Sequence, residues 1–135
     1  MLTITAFYAS LLAGLYMVLS ARVIGWRRER RVELGDAGDK QLLRRMRVHG
    51  NFAEYVPFTL LLMALAETMA PPYILLHIVG LLLIVGRGLH AYGLSQTPQI
   101  LRYRVFGMVL TFFAMGIAGM ICFTLSALYL LLSAF

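Results

Sequence analysis

The sequence contains four long stretches that are nearly free of charge, separated by short polar or basic segments. Three of them carry no charged residue and the fourth is interrupted only by Glu54; they are residues 1–21, 48–66, 68–86 and 105–135. Each is close to the roughly 20 apolar residues that an α-helix needs to cross about 30 Å of hydrocarbon. The pattern therefore predicts an all-α integral membrane protein, a bundle of four transmembrane helices.

Turn-forming residues indicate where these helices begin and end. The run of small and acidic residues at 35–39 separates the first two helices, and either Asp36 or Asp39 can cap the second one. Pro71 and Pro72 predict a tight hairpin between the second and third helices. We expect helices over residues 2–26, 40–68 and 72–94, and a fourth from about residue 99 onwards. Residues 1–135 are expected to form a single domain.

Composition supports the membrane interpretation and charge gives a predicted topology. The chain is 61% hydrophobic and only 13% charged, far below the usual quarter of charged residues in soluble domains. Its 12 cations lie either within residues 22–47 or at Arg87, Arg102 and Arg104. The positive-inside rule then predicts that both termini are on the non-cytoplasmic side. Because the cations flank membrane spans, we do not expect a nucleic-acid partner.

The second helix carries polar groups into the membrane along one stripe. At about 100° per residue, Arg44, Arg47, Asn51 and Glu54 fall within about 80° of one another. A cation, an amide and a carboxylate inside a membrane are costly and usually functional. We therefore regard these four residues as candidate binding residues at the mouth of the helix.

Two further polar residues lie near the end of the third helix. Arg87 is about 10 Å inside that end and Glu54 is about 10 Å inside Arg47, so antiparallel neighbours would bring the two charges level. Either a structural salt bridge or a functional pair would result. His90 follows Arg87 on the same face and is a candidate ligand contact, although such a histidine is more often a packing residue.

Arg102 and Arg104 open the fourth helix and point to different sides of it. One can anchor the helix at lipid headgroups while the other faces a cleft; we favour Arg104 inward, because it shares a face with small and polar residues. The three histidines cannot readily meet, so no metal site is expected. The lone Cys122 offers no CxxC motif.

Three segments together resemble the family of membrane-associated proteins in eicosanoid and glutathione metabolism (MAPEG), and most of all its short bacterial branch, which is similar to microsomal glutathione transferases. They are the R-x-H-x-N-x-x-E pattern of residues 47–54, V-G-R-G-L-H-A-Y-G-L at 85–94 and R-Y-R-V-F-G-M at 102–108. The resemblance implies a homotrimer with glutathione bound between neighbouring subunits near the cytoplasmic face. It assigns glutathione contacts to Arg47, Asn51, Glu54, Arg87 and His90. Arg104 best matches the arginine that activates the thiol, and Arg102 is the competing match.

We therefore expect a glutathione transferase or peroxidase in a bacterial inner membrane. Arg44, Arg47, Asn51, Glu54, His90 and Arg104 would form a cationic pocket with one carboxylate, beside an apolar wall. Glutathione would enter from water, and a lipophilic electrophile or lipid hydroperoxide from the bilayer. The alternative is a non-catalytic trimeric membrane module that binds lipid or a partner membrane protein.

Overall fold

The computed structural model describes residues 1–134 and shows four helices. They are α1 (Thr3–Arg30), α2 (Lys40–Thr68), α3 (Tyr73–Ser95) and α4 (Leu101–Ser133). The prediction of four helices is confirmed, and the bounds of α2 are those expected. Helix α1 continues four residues beyond the predicted end, because its last turn is built from arginine and glutamate, which are good helix formers. Phe135, the last residue of the fourth uncharged stretch, lies outside the described residues.

Three of the helices are long and apolar enough to cross a membrane: α1, α3 and α4. Helix α2 is 29 residues long and packs against the other three, but its polar stripe makes it less apolar. Even the shortest helix, with 23 residues, is about 35 Å long at a rise of about 1.5 Å per residue. The chain is therefore an integral membrane protein built as a helical bundle.

The helices run antiparallel to their neighbours in sequence, so the two longer connections lie at one end of the bundle. We call this the basic end; it comprises residues 31–39 and 96–100 with the adjoining helix turns. Arg44 joins the second of these connections to α2, since its Nη1 donates to the main-chain oxygen of Gln96 at 3.0 Å and to Oγ1 of Thr97 at 2.8 Å. The candidate residues of the sequence lie between this end and the middle of the bundle, where Glu54 is at the midpoint of α2.

Helix α2 begins where a side chain can satisfy its first amides. Oδ1 of Asp39 accepts hydrogen bonds from the main-chain N–H groups of Gln41 and Leu42, at 2.7 and 3.1 Å. Asp39 is therefore the cap, and Asp36 instead accepts from the main-chain N–H of Gly38. The other carboxylate oxygen of Asp39 accepts from the indole N–H of Trp26 at 2.9 Å. One carboxylate thus fixes both the start of α2 and its position against α1.

At the opposite end, a carboxylate from α2 caps α1. The two oxygens of Glu67 accept from the main-chain N–H groups of Ile4 and Thr5, at 2.9 and 2.8 Å. Glu67 is only 8% exposed, so these hydrogen bonds are shielded from water. The first turn of α1 contains no acidic residue of its own, and Glu67 supplies the negative charge that a helix N-terminus favours.

Helices α3 and α4 approach each other closely because glycines face each other near the basic end. A Cβ atom added to Gly107 of α4 would overlap the main chain of Gly86 and His90 on α3, and one added to Gly93 would overlap the main chain of α4. Main-chain atoms cannot move aside as side chains can. Small residues at this interface therefore set the distance between α3 and α4, and with it the position of His90 relative to the start of α4.

The outer surface of α4 is strongly apolar. Large hydrophobic side chains are exposed along it, among them Val105, Val109, Phe112, Phe113, Met120 and Phe123. A contiguous surface of this kind is costly in water and normal in hydrocarbon. It is the surface expected of a helix that faces lipid or another membrane helix.

Candidate functional site

Arg87 is the most completely buried charged residue of the described chain, with 2% of its surface exposed. Its Nη1 donates to Oδ1 of Asn51 on α2 at 2.8 Å, and its Nε donates to Oγ1 of Thr111 on α4 at 2.9 Å. The third guanidinium nitrogen lies 3.2 Å from the sulfur of Met108. Because each contact reaches a different helix or turn, Arg87 holds α2 and α4 against α3.

The predicted pairing of Glu54 with Arg87 is wrong for the described chain. Arg87 makes no ion pair with Glu54 there; its nearest oxygen acceptors are those of Asn51 and Thr111. Asn51 lies almost one turn closer to the basic end than Glu54, so α2 meets Arg87 about 4.5 Å from the expected depth. Glu54 also lies about 60° further round the helix, and its side chain is exposed.

His90 and Arg104 are held together at the contact between α3 and α4. His90 is 4% exposed, and its Nδ1 lies 3.1 Å from the main-chain oxygen of Arg104. Since a carbonyl oxygen only accepts hydrogen bonds, Nδ1 carries the proton and donates. The Arg104 guanidinium is exposed and donates to Oε1 of Gln99 at 3.3 Å. The main chain of Arg104 is thus fixed, while its charged group stays at the surface.

Two adjoining cavities open beside these residues. One, of about 380 Å³, is lined by polar side chains from α2, α3 and the start of α4 together with two leucines: Leu43, Arg44, Arg47, Asn51, His90, Leu94, Gln99 and Arg104. The other, of about 360 Å³, is lined by α2 alone: Leu43, Met46, Arg47, Gly50, Asn51 and Glu54. Each volume is within the range of small-molecule sites. Arg47 and Asn51 belong to both cavities and join them into one candidate site.

The structure therefore brings together six of the eight residues singled out from the sequence. Five of them line the first cavity and Glu54 lines the second. Arg87 lies behind the cavities and reaches them through its hydrogen bond to Asn51. Arg102 is exposed and lines neither cavity, whereas Arg104, two residues later, lines the first one.

Some contributors to the site were not singled out as site residues from the sequence. Gln99 lines the first cavity and accepts a hydrogen bond from Arg104; nothing in its short polar loop distinguishes it beforehand. Thr111 is fully buried and also donates from its hydroxyl to the main-chain oxygen of Gly107. The sequence did contain a signal for Thr111, because it lies one helical turn after Gly107. A hydroxyl beside a glycine at a tight helix contact can offer a hydrogen-bond acceptor to a neighbouring cation.

The charges around the two cavities have a clear chemical preference. Three guanidinium groups, those of Arg44, Arg47 and Arg104, line the first cavity, and the carboxylate of Glu54 lines the second. Arginine presents a planar fork of donors that matches carboxylates. An elongated ligand with carboxylates at one side and a cationic group near Glu54 is the kind that these cavities favour.

Comparison with known proteins agrees with this architecture. The sequence matches the MAPEG family over residues 5–132. It is also 37% identical over 112 residues to the inner membrane protein YecN of Escherichia coli K12, an alignment that covers 83% of this chain and 84% of that protein. The corresponding protein of Escherichia coli O6:H1 shows the same identity and coverage. The chain belongs to the MAPEG family.

Proposed function

We propose that this protein is a membrane-embedded glutathione transferase or peroxidase. The observation that carries the proposal is the joined pair of cavities, in which three arginines, Asn51 and His90 meet from three helices beside the single carboxylate of Glu54. Membership of a family named for glutathione metabolism supports the choice of ligand.

The charges of glutathione match the charges of the site. Glutathione carries two carboxylates, one ammonium group and a thiol. In the proposed complex, Arg44 and Arg47 bind carboxylate oxygens, and Glu54 accepts from the ammonium group in the adjoining cavity. Asn51 offers amide hydrogen bonds between the two. Hydrogen bonds to charged groups are each worth about 1.5 to 3 kcal/mol, so a few of them are enough for useful affinity.

Arg104 is the proposed thiol-activating residue. A free thiol has a pKa near 8.5, so only a few per cent of it is the nucleophilic thiolate at neutral pH. A guanidinium close to the sulfur stabilises the anion and raises that fraction. The thiolate then attacks either an electrophilic carbon, releasing a leaving group, or an oxygen of a lipid hydroperoxide, with a second glutathione completing the reduction.

We further propose that the protein acts as a homotrimer in a bacterial inner membrane, with the basic end and both cavities facing the cytoplasm. Arg47 and Glu54 are exposed on the single chain, and a neighbouring subunit would enclose them. The distribution of cations supports this orientation, and the relatives from Escherichia coli are inner membrane proteins by name. Native mass spectrometry from detergent tests the subunit number: trimers support the proposal and monomers at micromolar concentration refute it.

A non-catalytic trimeric module that binds lipid or a membrane partner is the second candidate. The observation that favours it is that Arg44, Arg87 and Arg104 each have hydrogen-bond acceptors within the chain, as structural arginines would. The two functions differ in one measurable property, because only the first requires glutathione to bind and ionise.

A matched pair of variants tests the proposed catalytic role. Arg104→Ala should lower the rate of conjugation with a lipophilic aryl halide by about 10- to 100-fold, with a smaller effect on glutathione affinity because the other contacts remain. Arg102→Ala removes a charge two residues away that lines neither cavity, and should change the rate less than twofold, on the order of experimental error. If Arg102→Ala abolishes activity and Arg104→Ala does not, the assignment is wrong.

A further inference from the structure

The two ring nitrogens of His90 have different surroundings. Nδ1 donates to the main-chain oxygen of Arg104 at 3.1 Å, which fixes the orientation of the ring. Nε2 is buried and has no hydrogen-bond partner among residues 1–134. In the neutral ring Nε2 is an acceptor. A buried acceptor without a partner is rare in native proteins and suggests that a donor is supplied by something else.

Cationic side chains lie around His90, but none of the hydrogen bonds that their N–H groups donate in the part of the chain that the structure describes reaches Nε2 of His90. Arg44 donates to the connection between α3 and α4, and Arg104 donates to Gln99. Arg87, one turn earlier on α3, donates to α2 and α4. Arg47 shares the cavity and is exposed. No carboxylate lines the cavity that His90 lines within the described chain; Glu54 lines the adjoining one.

The separation of Glu54 from His90 distinguishes the γ-glutamyl end of a bound glutathione, which carries the ammonium group, from its central cysteine, which carries the thiol. The ammonium group belongs near Glu54, the one carboxylate of the site. The thiol then lies in the cavity that His90 and Arg104 share. There it meets a guanidinium that can stabilise a thiolate but is always protonated and cannot take up a proton. The thiol proton therefore needs a separate acceptor. His90 lines this cavity and its Nε2 has no partner among the described residues; because Nε2 is buried in the chain alone, proton transfer requires the side chains that cover it to move aside as glutathione binds.

We propose that His90 is the general base that deprotonates bound glutathione. The inference rests on the proposed function and adds a catalytic role to a residue that sequence resemblance gave only a binding contact. The S–H bond breaks, its proton moves to Nε2, and the electron pair stays on sulfur beside Arg104. The imidazolium then donates from both nitrogens, to the Arg104 carbonyl and to the thiolate. After conjugation the proton is released to water with the leaving anion, so charge and atoms balance.

The test compares three variants in nanodiscs. In His90→Asn the side-chain amide can still donate to the Arg104 carbonyl, but nothing replaces Nε2. We expect glutathione affinity within about threefold of the parent, and thiolate formation in stopped-flow absorbance slower by about 100-fold, the usual size of a general-base effect. His49→Gln is the control: His49 contacts Ser20 and stacks on Tyr16, and lines neither cavity, so its rate should match the parent. Added imidazole should restore much of the rate in His90→Ala.

Each outcome decides a different point. If His90→Asn forms thiolate within about threefold of the parent rate, His90 is not the base, although the proposed function stands. A slowed His90→Ala that imidazole does not accelerate also rejects the assignment, because the loss then reflects structure. If the parent itself fails to bind glutathione in calorimetry, the proposed function fails, and the base assignment fails with it.

Discussion

The hydrogen bond between Arg87 and Asn51 should be a measurable source of stability, whereas Glu54 should contribute none through Arg87. Asn51→Ala removes the acceptor at 2.8 Å from a guanidinium that is 2% exposed. A hydrogen bond to a buried charged group is worth about 1.5 to 3 kcal/mol, and the better helix propensity of alanine returns about 0.5 kcal/mol. We therefore expect a net loss of about 1 to 2.5 kcal/mol in the free energy of unfolding.

A double-mutant cycle isolates the contact from other effects of the substitutions. The assay is reversible unfolding in mixed micelles titrated with dodecyl sulfate, without glutathione. Asn51→Ala should cost much less in the Arg87→Met background than in the parent, giving a coupling energy of about 1 kcal/mol or more. Glu54→Ala should show almost the same effect in both backgrounds. A Glu54–Arg87 coupling larger than the Asn51–Arg87 coupling would refute the assignment of the Arg87 contacts.

Three further predictions concern the frame around the site. Gly107→Ala should destabilise the fold, since its Cβ would overlap the main chain of α3, whereas Gly116→Ala meets nothing within 4 Å and should be neutral or stabilising; equal melting temperatures would contradict this. The pKa of Asp39 is lowered, first by the Trp26 indole N–H and then by main-chain N–H groups of α2. The stabilising contribution of ionised Asp39 is therefore fully present above the ordinary carboxyl pKa and is lost as the pH falls through the lowered pKa of Asp39. Thermal melts between pH 6 and pH 3, roughly the range around a carboxyl pKa, should therefore show a smaller loss of stability with falling pH for Asp39→Asn than for the parent. Glu67→Ala should lower stability by about 1 to 2 kcal/mol, the usual cost of a lost helix cap, in the same micelle titration; a value near zero would show that α1 does not need it.

The helices and most of the site could be predicted because both depend on local periodicity. Uncharged runs of membrane length gave four helices, and the two candidate caps before α2, of which the structure selects Asp39, gave its approximate start. The spacing of Arg44, Arg47 and Asn51 placed them on one stripe, and the structure has them lining one cavity. The 100° step of a helix relates residues of the same helix reliably, so this part needed no knowledge of the packing.

Contacts between helices were predicted less well, because periodicity says nothing about the relative depth and rotation of two helices. The Glu54–Arg87 pair required helices α2 and α3 to align within about one turn, and Arg87 instead meets Asn51 of α2, almost one turn from Glu54. The capping of α1 by Glu67 joins residues more than 60 positions apart. Such a contact depends on the hairpin between α2 and α3 and on the packing of α1 against α2.

The measurement that tests the central claim most directly is a titration of the nanodisc-embedded parent with glutathione, followed by ultraviolet thiolate absorbance. We predict saturable binding and a thiolate signal well below pH 8.5, roughly the pKa of a free thiol, because Arg104 would stabilise the anion. S-methylglutathione should bind at the same site without producing the signal. Saturable binding with no thiolate at any pH below about 8 would contradict the catalytic proposal, and no binding at all would leave the non-catalytic membrane module as the function of this chain.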